Sequence, residues 1–178
     1  MASNPQKLPS VTLVLGGARS GKSTYAEGLV TAVGAGLYLA TAEARDDEMA
    51  ARIRVHQARR GDTWHTVEEA LDLVGVLGRE CAAERPILVE CLTLWMSNLM
   101  EAGRDLDGES AALTAALSGL AGPVVFVSNE VGLGVIPDNA AARAFMDAAG
   151  RLNQAVAAAA GRVVLVTAGL PLDLKSRA

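Results

Sequence analysis

V11-T-L-V-L-G-G-A-R-S-G-K-S23 is the stretch on which the rest of the chain turns. Its first part, residues 11–15, is a continuous apolar run of strand length. Residues 16–23 match the phosphate-loop pattern GxxxxGK[ST] in full, and a helical pattern begins at Lys22. Strand, glycine-rich loop and helix in that order are the context in which the pattern holds phosphate. Glycines at 16, 17 and 21 permit a tight turn and bring backbone N–H groups close to phosphate oxygens. The helix that follows directs its positive end at the same anion. On this reading Gly16, Gly17, Ala18, Arg19, Ser20 and Gly21 cradle the phosphates of a nucleotide. Lys22 meets the β- and γ-phosphates, and the Ser23 hydroxyl ligates Mg²⁺. The competing reading is a glycine-rich strand-to-helix turn with a chance Lys-Ser.

Working outward, strand-like and helix-like segments alternate. The pattern predicts a helix over 22–33, stopped by Gly34 and Gly36, and a strand over 36–41. It predicts helices over 46–60 and 66–85, then a strand over 87–91 behind Pro86. Residues 92–102 read as a helix, 103–108 as a polar loop and 111–120 as a helix. A strand over 124–129, an alanine-rich helix over 139–160 and a fifth strand over 163–167 complete the pattern. Non-alternating apolar strands separated by helices predict an α/β fold, with a mostly parallel sheet covered by helices on both faces. Ligands of such sheets bind at the carboxyl ends of the strands.

Composition narrows the class. At 178 residues the chain has the length of one domain, and 51% hydrophobic residues supply a core. We expect a loose tail over residues 1–10 and one domain over 11–178. Aromatic residues make up only 3%, and the net charge is −4. Both argue against a nucleic-acid partner, which calls for stacking platforms or clustered positive charge. Cys81 and Cys91 are too few for a disulfide framework and fit reduced thiols in a cytoplasmic protein. No run approaches the ~20 apolar residues of a membrane span, and the first ten residues lack the apolar centre of a signal peptide.

Beyond the loop, strand ends supply carboxylates. Glu90 closes the apolar run ILVE and is the candidate acidic partner of the metal. Asp is the usual residue there, so a contact through water, a nucleotide contact or a purely structural bond are the alternatives. Glu130, after VVFVSN, is a second strand-end carboxylate. In the helix over 46–60, Met49, Ile53 and His56 fall on one face at 100° per residue. Arg52, Arg59 and Arg60 flank that histidine. Neutral imidazole, with a reference pKa of about 6.5, is a nitrogen nucleophile at neutral pH. Nearby arginines favour the neutral form. Attack at an α-phosphate would expel pyrophosphate and leave a nucleotidyl-histidine. Against this stands a packed or surface histidine on a solvated arginine face with Glu48–Arg52 pairing. His65, after Trp64, has weaker grounds.

Several blocks together resemble one family. They are GGARSGKS (16–23), LYLATAE (37–43), DDEMAARIRVHQARRGDTW (46–64), ILVECLTLWMSNL (87–99), the NEVGLGVIP segment with its following helix (128–160) and VVLVTAGLPLDLK (163–175). The chain resembles the bifunctional adenosylcobinamide kinase/adenosylcobinamide-phosphate guanylyltransferases of cobalamin biosynthesis. That resemblance implies a RecA-like P-loop NTPase fold and a homotrimer. It implies phosphorylation of adenosylcobinamide by ATP or GTP, then transfer of GMP from GTP to adenosylcobinamide phosphate through a guanylylated His56. It further implies nucleotide contacts at Thr41, Ala42 and Glu43, at Gln57, Ala58, Arg59 and Arg60, and at Glu68 and Glu90. Gly161 stands where relatives often carry Asp, and Val55 where some carry a second histidine. Two other readings stay open at this point: a P-loop small-molecule kinase without nucleotidyl transfer, and a nucleotide-gated binding module. The segment 129–137 is expected to line the corrinoid or nucleotide site, or to serve as a structural connection or subunit contact.

Overall fold

The computed structural model describes residues 8–60 and 63–176, and the side chains at positions 52, 56, 59 and 60 lie outside the described set. Seven strands form one sheet: β1 (Val11–Gly16), β2 (Gly36–Ala40), β3 (Trp64–Glu68), β4 (Ile87–Glu90), β5 (Val124–Asn129), β6 (Arg162–Thr167) and β7 (Leu170–Ser176). Their order is β3-β2-β4-β5-β1-β6-β7, and every pairing is parallel except β6 with β7. The helices are α1 (Lys22–Thr31), α2 (Asp47–Arg60), α3 (Leu73–Glu80), α4 (Leu92–Glu101), α5 (Leu106–Ala116) and α6 (Ala140–Ala159).

The period-two geometry of a strand divides the sheet into two faces. Val11, Leu13, Leu37, Leu39, Ile87, Val89, Val124, Phe126 and Val163 point one way, into a core built by α3, α4, α5 and α6. The intervening residues Val14, Tyr38, Leu88, Val125, Val127 and Val164 point the other way, where α1 supplies Ala26 and Val30. Burial on both sides explains why these strands read as unbroken apolar runs. The helices carry matching stripes. In α6 the buried residues are Ala148, Ala149, Leu152, Asn153 and Val156, and Asn139 caps the helix by accepting from the N–H groups of Ala141 and Ala142. In α3 the Asp72 side chain accepts from Gly75 N.

Two elements depart from the sequence reading. The predicted helix over 66–85 divides into β3 and the short helix α3. β3 is an edge strand whose only inward-leaning residues are half-buried Trp64 and Val67, so it lacks the apolar run of its neighbours. The sequence reading also stops one strand early. β7 returns antiparallel on β6 through a tight turn at Ala168 and Gly169, whose φ values are 52° and 79°. Two consecutive positive φ angles are what a two-residue hairpin demands. Pro171 is tolerated because β7 is an edge. At the other end of the chain, Leu8 is buried and Val124 N donates to Ser10 O (2.9 Å). Of the expected tail, residues 1–7 lie outside the described set. Among the described residues, no helix is long and apolar enough to cross a membrane.

Candidate functional site

The loop between β1 and α1 is shaped by close approaches. A Cβ at Gly16 would stand 2.5 Å from Ser20 Oγ and 2.6 Å from the carbonyl oxygen of Val166. Gly21, at φ 93°, caps α1 in the left-handed region with no side-chain hydrogen bond. The first-turn N–H groups of α1 therefore carry no capping side chain and suit an anion. Lys22 is buried, and its Nζ donates to Gly17 O (3.2 Å), folding the ammonium back over the loop. The β6–β7 turn braces the loop from outside: Gly169 N donates to Ser20 O at 2.8 Å.

Ser23 Oγ donates to Glu90 Oε1 at 2.7 Å. The two residues are far apart in sequence and meet because β4 ends on the face that α1 covers. A hydroxyl and a carboxylate side by side are the hard oxygen donors that Mg²⁺ takes, alongside phosphate and water. Among the described residues no group of three or more His, Cys, Asp or Glu gathers as a metal cage. Mg²⁺ in phosphate sites uses one or two protein oxygens, so the pair fits this ion.

Behind Glu90 the backbone is clamped. Thr41 Oγ1 accepts from Cys91 N and donates to Cys91 O, both at 2.8 Å. Asn98 Nδ2 donates to Thr41 O (2.7 Å) and to Ala70 O (3.1 Å), and its Oδ1 accepts from Arg45 (2.8 Å). Arg45 also pairs with Glu43 (2.7 Å) and with Glu101. Burial, and then the neighbouring Glu90 carboxylate, push the Cys91 thiol up to about 11, so it stays neutral at physiological pH.

A cavity of about 660 Å³ opens on the α1 face at the carboxyl ends of the strands. Residues 18–24 form one wall, while Tyr38, Ala40, Ala42, Glu68, Glu90, Cys91, Leu94 and Asn129 line other parts. Glu48, Met49, Ala51, Ile53 and Val55 of α2 complete it. Met49 and Ile53, placed inward by helical spacing, both line the cavity. Position 56 lies on the same helix, but the side chains of His56, Arg59 and Arg60 are outside the described residues. Gln57 Nε2 donates to Glu68 Oε1 at 3.4 Å, which joins two expected nucleotide contacts across the rim. Ala58 is exposed on α2. Thr41 and Glu43, expected as nucleotide contacts, do not line the cavity: Thr41 is buried as the clamp and Glu43 faces Arg45. Asn129 opens the segment 129–137 that was expected to line the corrinoid or nucleotide site, and it lines this cavity. Its signal was a polar residue closing an apolar strand, the same cue that singled out Glu90.

The family model described as cobinamide kinase / cobinamide phosphate guanyltransferase matches residues 12–174. The chain is 49% identical over 166 residues to the bifunctional adenosylcobalamin biosynthesis protein CobP of Pseudomonas aeruginosa, covering 92% of this chain and 96% of that protein. It is 42% identical over 178 residues to the CobU protein of the same description from Salmonella typhimurium, covering 92% of this chain and 98% of the relative. Among solved structures, a prototypical ATPase from the type III secretion system of pathogenic bacteria superposes with a TM-score of 0.56 at 10% identity, covering 90% of this chain and 51% of that one. That likeness concerns the fold, a RecA-like P-loop arrangement.

Proposed function

Since the chain belongs to the cobinamide kinase / cobinamide phosphate guanyltransferase family, we propose that both of its reactions use the cavity between the phosphate loop and α2. The protein is a bifunctional enzyme that phosphorylates cobinamide and then transfers a guanylyl group to cobinamide phosphate. The family match decides between the readings left open above and favours this one over a kinase alone or a binding module.

In the kinase step a nucleoside triphosphate, ATP or GTP, lies with its phosphates over residues 16–23. Lys22 and the first-turn N–H groups of α1 hold the β- and γ-phosphates, where charge builds up as the phosphoryl group moves. Ser23 and Glu90 would hold Mg²⁺, which when bound supplies positive charge across the phosphate oxygens. The acceptor is the free hydroxyl of adenosylcobinamide.

Guanylyl transfer reacts at the α-phosphate and needs a nucleophile that the loop itself lacks. His56 fills that role on this reading. Its ring nitrogen bonds to the α-phosphorus, the bond to the α,β-bridging oxygen breaks, and pyrophosphate leaves. The phosphate of adenosylcobinamide phosphate then attacks the same phosphorus and the P–N bond breaks, giving adenosylcobinamide-GDP. Glu68, held by Gln57, and Glu90 are carboxylates able to accept from guanine or ribose donors. Tyr38 is the one aromatic side chain lining the cavity among the described residues, so polar groups rather than an aromatic sandwich hold the base. We place the enzyme in the cytoplasm as a homotrimer.

The observation that carries this reading is that Met49 and Ile53 of α2 line the same cavity as Lys22 and Ser23. The test is incubation with α-labelled GTP. Wild type takes up acid-labile, base-stable label, and His56→Ala takes up none. Equal labelling of the two proteins would refute the histidine mechanism. Mass spectrometry of adenosylcobinamide incubated with GTP reads both products at once.

A further inference from the structure

Asn129 closes β5 between the strand ends that carry Glu90 and Gly16. Gly16 pairs with Asn129, and Glu90 pairs with Val127 two residues earlier. Alternation along β5 turns Val125 and Val127 toward the α1 face, so the next residue in that series, Asn129, shares the face of Lys22 and Ser23. It lines the cavity with them.

Its backbone is fully engaged. Asn129 N donates to Thr93 Oγ1 at 2.7 Å, and Asn129 O accepts from Asn153 Nδ2 at 3.2 Å. Thr93 and Asn153 are themselves buried, and the Thr93 hydroxyl lies 3.3 Å from that of Ser128. The side chain is different. Its Oδ1 is buried and has no hydrogen-bond partner among the described residues. A buried amide oxygen in that condition costs about 1–3 kcal/mol. Native proteins keep such groups where a ligand supplies the partner.

We propose that Asn129 touches the reacting end of the triphosphate in the kinase step. A neutral amide offers a donor and an acceptor at once, which neither Lys22 nor a carboxylate does. Its N–H₂ donates to a γ-phosphate oxygen and its Oδ1 accepts from the hydroxyl of the incoming cobinamide, aligning nucleophile and phosphorus. The hydroxyl oxygen bonds to the γ-phosphorus, the bond from that phosphorus to the β,γ-bridging oxygen breaks, and the nucleoside diphosphate leaves. The hydroxyl proton passes to solvent, and Asn129 takes none. Thr93 and Asn153 are positioning residues that fix the Asn129 backbone. Guanylyl transfer breaks its bond at the α-phosphorus, so it does not call on Asn129. This inference rests on the reading that the triphosphate occupies this cavity.

The test uses full-length Asn129→Ala and Asn129→Asp proteins beside Lys22→Ala, with melting curves to establish folding. Asp is near-isosteric but lacks the donor. We expect both Asn129 variants to lose about 10²-fold in kinase kcat, the scale of one positioned transition-state donor, with nucleotide KM within about threefold of wild type for Ala and raised for Asp, whose carboxylate faces the γ-phosphate. Their labelling by α-labelled GTP falls far less than the kinase kcat, because the bond broken in that step lies at the α-phosphorus. Should the Asp variant unfold, Asn129→Ser, which is smaller and keeps a hydroxyl, gives the same readout. A kinase kcat near wild type in the Asn129 variants overturns the inference if Lys22→Ala is impaired. If Lys22→Ala is also unaffected, the placement of the triphosphate is what failed. An equal loss of labelling and kinase activity also overturns the selective role.

Discussion

The adjacent glycines at 16 and 17 look interchangeable in the sequence, yet the structure separates them. A Cβ at Gly16 would meet Ser20 Oγ at 2.5 Å and the carbonyl oxygen of Val166 at 2.6 Å. The serine can rotate away. The carbonyl belongs to β6, which is paired with β1 on that side, and has no room to retreat. At Gly17 no atom stands within 4 Å of the same Cβ, and the residue has no positive φ. Gly16→Ala therefore overpacks the loop against rigid backbone, at about 1–3 kcal/mol. Gly17→Ala falls within about 0.5 kcal/mol of wild type. For a chain of this length, each kcal/mol lowers the melting temperature by about 2–4 °C. Urea denaturation and thermal melts of both variants, with binding of a non-hydrolysable GTP analogue, make the comparison. Gly16→Ala should melt lower and bind the analogue more weakly, because the displaced Ser20 carries the loop with it. A neutral Gly16→Ala beside a destabilised Gly17→Ala would show that the loop is not shaped by its contact with β6.

Asn98→Leu removes the donor to the buried carbonyl Thr41 O and the part-buried Ala70 O, and we expect a loss of about 2–4 kcal/mol in urea denaturation; an unchanged midpoint would mean that water replaces the amide. The Cys91 thiol is raised from 9.0 to about 11 in the folded protein, so its contribution is complete below pH 9 and is lost as the pH climbs through 11. Wild type should accordingly lose about 2–3 kcal/mol more than Cys91→Ala across that interval. Cys91 should also resist a thiol alkylator at pH 8 in the native protein and react in denaturant, and equal reactivity in both states would contradict its burial.

The central strands, the phosphate loop and the long helix α6 were legible because each rests on local signals: an apolar run, a fixed glycine pattern, an alanine-rich stretch. β3 was not, since WHTVE sits on a sheet edge and shows almost no burial pattern. β7 escaped because its hairpin turn is Ala168-Gly169 rather than an Asn-Gly or Asp-Gly pair, and Pro171 argues against a strand anywhere but an edge. In the site, Lys22 and Ser23 could be named from the motif alone. The clamp of Thr41 on Cys91 could not, because the two are joined only by the pairing of β2 with β4. Asn98 reaches Thr41 from α4, and nothing in the spacing of either residue announces the contact. Thr41 and Glu43, expected from the resemblance as nucleotide contacts, flank Ala42, which lines the cavity. Their segment borders the cavity, but their side chains are engaged elsewhere.

The position of β1 has a consequence for how the protein is made. β1 leaves the ribosome well before both of its neighbours: Val11 pairs with Val124 and Thr12 with Arg162. Local contacts cannot complete it, so its formation carries the loop-closure penalty of long-range parallel pairing. Until β5 and β6 emerge, VTLVLG is an apolar segment with two open edges, the kind that sticks to other chains. The phosphate loop inherits the delay. Its brace from Gly169 is supplied only once the β6–β7 turn has emerged, so nascent fragments that already contain the complete glycine-rich motif should not yet hold nucleotide.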